Sequence, residues 1–171
     1  MAATNPTQSR TQPFTQKITT FLWFDNNAEE AVNFYVSVFK NSKVLKTLHY
    51  GNEGPGAKGT VMTIAFQLEG QQFTALNGGP HFKFNEAVSL VVHCKTQDEV
   101  DYYWEKLSEG GQKVECGWLK DRFGLSWQVV PDALFELMEA DGGKKSGRVM
   151  KAMMTMKKLD IAGLEKAAQG E

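Results

Sequence analysis

The sequence predicts an α+β fold made of two βαβββ modules followed by C-terminal helices. Three observations carry this reading. A β-branched, aromatic run leads into an amphipathic helix and three further strand-like segments; the same order restarts near residue 87; and a methionine-rich helical stretch follows Pro131. The chain has 171 residues, 42% of them hydrophobic and 23% charged. That composition suits a globular chain and leaves room for one domain, or for two small modules sharing one sheet system. A formal net charge of -1 excludes retention on nucleic acid through bulk positive charge. No apolar run approaches the roughly 20 residues needed to span a bilayer, so no membrane partner is expected.

In the first module Ile18 to Phe24 (ITTFLWF) is apolar, β-branched and aromatic, as in a buried strand. Asp25-Asn26-Asn27 can break that strand and cap a helix. The helix runs from Ala28 to Phe39, with Ala31, Val32, Tyr35, Val38 and Phe39 on one face at helical spacing. Lys43 to Tyr50 reads as a strand, and Gly51 to Gly59 as a flexible glycine-rich loop. Thr60 to Leu68 and Gln71 to Asn77 flank Glu69-Gly70, a two-residue hairpin turn.

Gly78 to Asn85 connects to the second module. Ala87 to Cys94 is its first strand, and Thr96 or Asp98 starts a helix that reaches Glu109 and stops at Gly110-Gly111. Gln112 to Cys116 is the next strand. Gly117 to Asp121 and Leu125 to Val130 form a hairpin across Arg122-Phe123-Gly124. The two modules align: Val32-Asn33-Phe34-Tyr35 falls on Val100-Asp101-Tyr102-Tyr103, and Thr20 to Phe24 on Val88 to Val92. The resulting division is a disordered tail over 1–17, a first module over 18–80, a second, shortened module over 81–131 and a helical extension over 132–171. In the extension, Asp132 to Met138 is a short helix and Asp141-Gly142-Gly143 a hinge. Ser146 to Met156 carries Val149, Met150, Met153, Met154 and Met156 along one side, and Asp160 caps a last helix through Ala168. The methionine stripe reads as core or dimer contact, with an adaptable lid over a pocket as the alternative.

Met1 to Lys17 holds no apolar stretch of the secretory type, and Cys94 and Cys116 do not make a disulfide framework. Reduced thiols in the cytoplasm are therefore expected. Asp121-Arg122 reads as a turn pair, its charges a surface ion pair of little energetic value.

The segments FLWFDNNAEEAVNFYVSVFKNSKV, FTALNGGPHFKFNEAVSLVV, EVDYYWEKLSEGG and CGWLKDRFGLSWQVVP closely resemble the PhnB-like branch of the vicinal oxygen chelate superfamily. That superfamily includes glyoxalase, bleomycin-resistance and extradiol-dioxygenase proteins. The resemblance spans Lys17 to Leu164. It implies the glyoxalase/bleomycin-resistance fold, in which two modules wrap a cup-shaped mixed sheet, usually in a homodimer. Members of this branch have often been labelled demethylubiquinone methyltransferases. A fold hosts many chemistries, so function has to be read from the site.

Active relatives hold a divalent ion with His and Glu from the first and last strands of the two modules. The resemblance carries those positions onto Thr20, Thr74, Val88 and Gln128. None is His, Cys, Asp or Glu, and a shift by one to Thr19, Asn77 or Ser89 does not repair the set. His49, His81 and His93 are scattered. Strand alternation puts His93 and Cys94 on opposite faces, against a shared ion with Cys116. No metal and no cofactor is therefore expected. A methyltransferase of the common type needs a strand, a glycine-rich turn and a helix N-terminus. Gly54-Pro55-Gly56 lies between two strands instead, and Gly78-Gly79-Pro80 precedes a connector. No G-x-S-x-G elbow is present.

What remains is an apolar and aromatic cup with a few neutral polar groups. Its candidate ligand-binding residues are Thr20, Leu22, Trp23, Thr74, Leu76, Asn77, Trp118 and Gln128, with Phe24 and Trp127 as further wall residues. Only half can face one side, because strand residues alternate; Trp23 and Trp127 are out of phase with Leu22 and Gln128. The expectation is a metal-independent protein that binds a small organic molecule, by sequestration or sensing. A superfamily enzyme (lyase, isomerase or dioxygenase) with a non-standard metal site is one alternative. A dimeric structural or interaction protein is another.

Overall fold

The computed structural model describes residues 16–170; positions 1–15 of the expected tail lie outside them. The chain divides into two compact units, the first ending at Phe82 and the second starting at Lys83. The first unit contains β1 (Thr20–Phe24), α1 (Ala28–Val38), β2 (Lys43–His49), β3 (Val61–Leu68) and β4 (Gln71–Asn77). The second contains β5 (Ser89–Cys94), α2 (Gln97–Ser108), β6 (Gln112–Lys113), β7 (Trp118–Lys120) and β8 (Ser126–Pro131). It continues with α3 (Asp132–Glu139), a 3₁₀ turn at Ala140–Gly143, α4 (Ser146–Met153) and α5 (Ile161–Gln169).

Each unit holds a four-stranded mixed sheet with the same topology, β1-β4-β3-β2 and β5-β8-β7-β6. The first and last strands of each βαβββ module pair in parallel and the others antiparallel. A parallel pair needs a crossover, and the helix after the first strand lies within it. The repeat legible in the sequence is therefore a repeat of topology. This is the glyoxalase/bleomycin-resistance fold, with helices appended at the C-terminal end.

In the first unit Ala28, Ala31, Val32, Tyr35 and Val38 of α1 are buried. Tyr35 stacks on Phe66 at 6.5 Å between ring centroids, and Phe66 on Phe73 at 5.4 Å. Burying each such ring contributes roughly 1.5–3 kcal/mol. The β3–β4 hairpin closes over Glu69 (φ 44°) and Gly70 (φ 87°), with Leu68 opposite Gln71. Two successive positive φ angles define the type I′ turn, whose twist matches that of the strands. Asn27 precedes α1 but makes no side-chain cap. The cap comes from the far end of the module: Asn77 Oδ1 accepts the Ala28 N–H at 2.9 Å.

In the second unit the helix caps follow the sequence. Thr96 Oγ1 accepts the Glu99 N–H, and Asp160 Oδ2 accepts the Gly163 N–H. Leu119, Trp127 and Val129 are buried on one face of the sheet, and Val100, Trp104 and Leu107 of α2 are buried with them. The strand expected over Gln112 to Cys116 is only two residues long. Cys116 turns into the left-handed region (φ 61°) and Gly117 follows it (φ 80°). Their N–H groups donate to the Met156 and Lys157 carbonyls at 2.7 and 2.8 Å. The C-terminal segment thus takes backbone partners that a longer β6 would have used. A Cβ on Gly117 would come within 2.7 Å of the Val129 carbonyl oxygen, so this crossing requires glycine.

The methionine helix also stops earlier than its periodicity suggests, at Met153 rather than Met156. Thr155 and Met156 donate to Ala152 and Met153 in tight i→i−3 bonds. Val149 is fully buried with Val130, Leu134, Leu159, Leu164 and Ala168, and Met153 and Met156 pack on that cluster. Met150 and Met154 stay exposed. Gln97 of α2 binds both sides of the last turn, donating to the Leu159 carbonyl and accepting the Ile161 N–H.

Asp121 is not a surface residue. It is 3% exposed and organises the β7–β8 turn. Its Oδ1 accepts the Phe123 and Leu125 N–H groups at 2.8 and 3.0 Å, and its Oδ2 accepts the Trp127 indole N–H at 2.8 Å. Arg122 lies over the Phe123 ring at 5.4 Å. Asp121→Ala strands three donors, two of them in buried bonds, and bonds to a carboxylate are worth about 1.5–3 kcal/mol each before relaxation. We expect a loss of about 2–4 kcal/mol in urea unfolding; a loss under about 0.5 kcal/mol would contradict the buried network.

Candidate functional site

Strand register decides which side chains each helix covers. Tyr35 of α1 stacks on Phe66, Phe66 pairs with Phe73, and Phe73 pairs with Thr20. Paired residues point to the same face. Thr20, Leu22, Phe24, Phe73, Ala75 and Asn77 therefore lie on the helix-covered face. Phe21, Trp23, Thr74 and Leu76 lie on the helix-free face. Of the residues named from the sequence, Trp23, Thr74 and Leu76 share one surface. Leu22 is 4% exposed and packs beneath the helix. Phe21, absent from that set, is 56% exposed on the helix-free face.

The same logic sorts the second sheet. Trp127 is buried on the α2 side with Leu119 and Val129, whereas Trp118 and Gln128 pair with each other on the opposite side. Gln128 Nε2 donates to Ser89 Oγ at 2.8 Å. The phase ambiguity at Trp23/Leu22 and Trp127/Gln128 thus resolves in opposite senses: the tryptophan faces away from the helix in the first unit and toward it in the second.

Asn77 ties one end of the first sheet together. Besides accepting from Ala28, it donates Nδ2–H to the Val61 carbonyl at 3.0 Å, and its own carbonyl accepts the Tyr50 hydroxyl at 2.7 Å. The glycine-rich loop folds against Tyr50: a Cβ on Gly56 would stand 2.2 Å from that ring. Trp23 is held by the connector, donating Nε1–H to the Gly79 carbonyl at 2.9 Å and meeting Phe82 edge-on at 4.9 Å. Around this framework lies a cavity of ≈ 520 Å³, bordered by Asp25, Glu29, Tyr50, Gly56, Asn77 and His81 among others.

A second cavity of ≈ 360 Å³ opens on the second sheet and is lined by Glu86, Gln112, Val114, Trp118, Leu119, Lys120 and Ser126. Trp118, Lys120 and Ser126 share the face that points away from Trp127. Lys120 Nζ pairs with Glu86 Oε1. That contact and a backbone hydrogen bond hold the Glu86 carboxyl below its ordinary range. Ser126 is 1% exposed, and among the described residues its Oγ is the buried side-chain polar atom with no hydrogen-bond partner. An unsatisfied hydroxyl costs roughly 1–3 kcal/mol, so it asks for a function. Ser126 was legible only through its two-residue spacing from Gln128.

The positions carried over from metal-binding relatives do not fit a transition-metal ion. Thr20 turns toward α1, and Val88 lies outside β5, 64% exposed. Thr74 offers a hydroxyl, and Gln128 is engaged by Ser89. Neutral hydroxyl and amide oxygens are poor ligands for such ions. Among the described residues no three His, Cys, Asp or Glu side chains are grouped to hold a metal ion. His93 is exposed and Cys94 fully buried, on opposite faces of β5. Burial pushes the Cys94 thiol up to about 12, which leaves it without nucleophilic thiolate at neutral pH. The residues do not fit a nucleotide-type methyl donor either. Gly54 and Gly56 separate two strands, and the segment after Gly78-Gly79 reaches α2 only after another strand.

The topology places the chain in the vicinal oxygen chelate superfamily. The 3-demethylubiquinone-9 3-methyltransferase family model matches residues 16–130, more than half of the sequence, and the chain belongs to this PhnB-like family. A Bacillus cereus PhnB protein carrying the same methyltransferase label is 40% identical, with a TM-score of 0.63 over 68% of this chain and 99% of that one. A Pseudomonas aeruginosa protein, PA1353, is 20% identical with a TM-score of 0.58 over 68% of this chain and 98% of that one. The fosfomycin resistance protein FosX of Listeria monocytogenes is 13% identical with a TM-score of 0.51, over 73% and 98%. The last two share the fold. No curated protein matches the chain.

Asn77→Ala removes one acceptor and one donor that serve backbone groups of different elements. We expect a loss of roughly 1–3 kcal/mol by urea denaturation, with faster amide exchange at Ala28. Unchanged exchange there would show that α1 is capped by other means.

Proposed function

We propose that this chain is a metal-independent member of its superfamily that binds a small organic molecule on the face of the second sheet opposite α2. The observation that carries the reading is the side-chain chemistry of that face. An indole (Trp118), an amide–hydroxyl pair (Gln128 with Ser89) and an unpartnered hydroxyl (Ser126) occupy it, rather than imidazoles and carboxylates. Such a surface recognises shape, aromatic faces and neutral hydrogen-bonding groups, which suits sequestration or sensing. Trp23 and Leu76 lie on the face of the first sheet opposite α1, where Thr74 is buried beside them. The fosfomycin resistance after which FosX is named, and the methyl transfer after which the family is named, are not carried over, because the residues those chemistries require do not fit here.

A homodimer fits this reading. Phe21 and Val91 lie on the sheet faces opposite α1 and α2 and are 56% and 43% exposed, and a second copy would cover such apolar surface. The two free thiols suit a reducing compartment such as the cytoplasm. Among the described residues no helix is long and apolar enough to cross a membrane.

Titration of the purified chain with Zn²⁺, Ni²⁺ or Mn²⁺ should give no stoichiometric heat at micromolar concentration. One tightly held ion per chain would overturn the metal-independent reading. A fragment screen by thermal shift should find small aromatic ligands that raise Tm and quench Trp118 fluorescence. In sedimentation velocity we expect a dimer that Phe21→Glu or Val91→Lys converts to a folded monomer; a wild-type monomer at 100 µM, on the order of concentrations that populate weak dimers, would exclude it.

A further inference from the structure

The cavity on the second sheet has an ion pair at its rim and an unpaired hydroxyl in its wall. Glu86 sits in the connector before β5, outside any helix or strand, and its side chain is 63% exposed. Lys120 extends from β7, is 31% exposed, and shares its strand face with Ser126. The cationic partner is therefore fixed to a sheet, and the anionic partner belongs to irregular chain. An exposed pair of this kind adds little to stability, so exchanging Glu86 for another carboxylate costs little. Trp118 supplies an aromatic surface in the same cavity, and Val114 an apolar wall. At ≈ 360 Å³ the space lies near the lower end of small-molecule pockets, which run from about 300 to 1,000 Å³.

We infer that this cavity takes a small planar aromatic carboxylate, with Glu86 acting as a displaceable stand-in for the ligand's own carboxylate on Lys120. The inference rests on the binding reading above and adds the ligand class. The incoming carboxylate replaces Glu86 at Lys120 Nζ, so the positive charge keeps a partner throughout. The ring lies against Trp118. A hydroxyl beside the carboxylate on the ring exchanges a hydrogen bond with Ser126 Oγ, a buried hydroxyl without a hydrogen-bond partner among the described residues. Neutral aromatics gain only the ring contact. Because Glu86 competes with the ligand, removing its charge strengthens binding, whereas removing the charge of Lys120 weakens it.

Salicylate, benzoate and benzamide serve as probes, titrated by calorimetry into the full chain and into Glu86→Gln, Lys120→Gln and Ser126→Ala. Salicylate is expected to bind tightest and benzamide at least tenfold more weakly than benzoate. Lys120→Gln should weaken salicylate and benzoate at least tenfold and leave benzamide unchanged. Glu86→Gln should tighten both carboxylates severalfold. Ser126→Ala should reduce salicylate to the affinity of benzoate without lowering Tm, since no protein hydrogen bond is lost. Equal binding of benzoate and benzamide, or weaker carboxylate binding by Glu86→Gln, overturns the inference while leaving a small-molecule site intact. A fall in Tm for Ser126→Ala overturns the role of its hydroxyl. If neither these probes nor a neutral fragment collection binds, the binding function itself fails.

Discussion

Parallel pairing of the first and last strands of each module is the constraint on which the rest depends. It brings Phe21 beside Thr74 and Val91 beside Gln128, residues far apart in sequence. It requires a crossover, and the crossover helix must cover one face of the sheet it serves. Once the register is set, alternation assigns every strand side chain either to the covered face or to the free one. A one-residue slip would exchange Leu22 with Trp23 and Trp127 with Gln128, burying amide and exposing core. The stacked rings of Tyr35, Phe66 and Phe73 and the buried set of Leu119, Trp127 and Val129 oppose that slip.

Two polar hubs complete what the apolar faces begin. Asn77 satisfies a helix N–H, a strand carbonyl and, through its own backbone, a tyrosine hydroxyl. Asp121 satisfies two turn N–H groups and an indole. Each stands where a strand ends, where backbone groups have lost ladder partners but remain buried. In the sequence Asp121 reads as ordinary turn chemistry and Asn77 as a strand-end candidate for ligand binding. Their importance comes from the donors that tertiary packing delivers to them.

The free faces carry the functional consequence. The resemblance to metal-binding glyoxalase-type proteins implies ligands on the first and last strands, at Thr20, Thr74, Val88 and Gln128. This chain offers hydroxyl, amide and apolar groups there instead, and its second sheet adds an indole, a sheet-borne ammonium and an unpaired hydroxyl. Superfamily membership therefore supplies the frame, and the change of side chains on one face changes what the frame can hold.

Much of this was written in the chain itself. The order of elements, the duplication, the Glu69-Gly70 turn and the caps at Thr96 and Asp160 follow from local rules: periodicity, positive-φ tolerance and short polar side chains. The missing metal ligands at Thr20, Thr74, Val88 and Gln128 are likewise a matter of residue type. Packing alone decided the rest. Alternation names two faces but not which one a helix will cover, so Leu22 and Asn77 stood in the sequence as equals of Trp23 and Leu76. The shortness of β6 depends on Met156 and Lys157 reaching Cys116 and Gly117, a competition between segments some 40 residues apart that no local pattern encodes. Asp121 resembled a surface charge until Trp127 was folded onto it, and Ser126 became chemically distinctive only because no neighbour answers its hydroxyl.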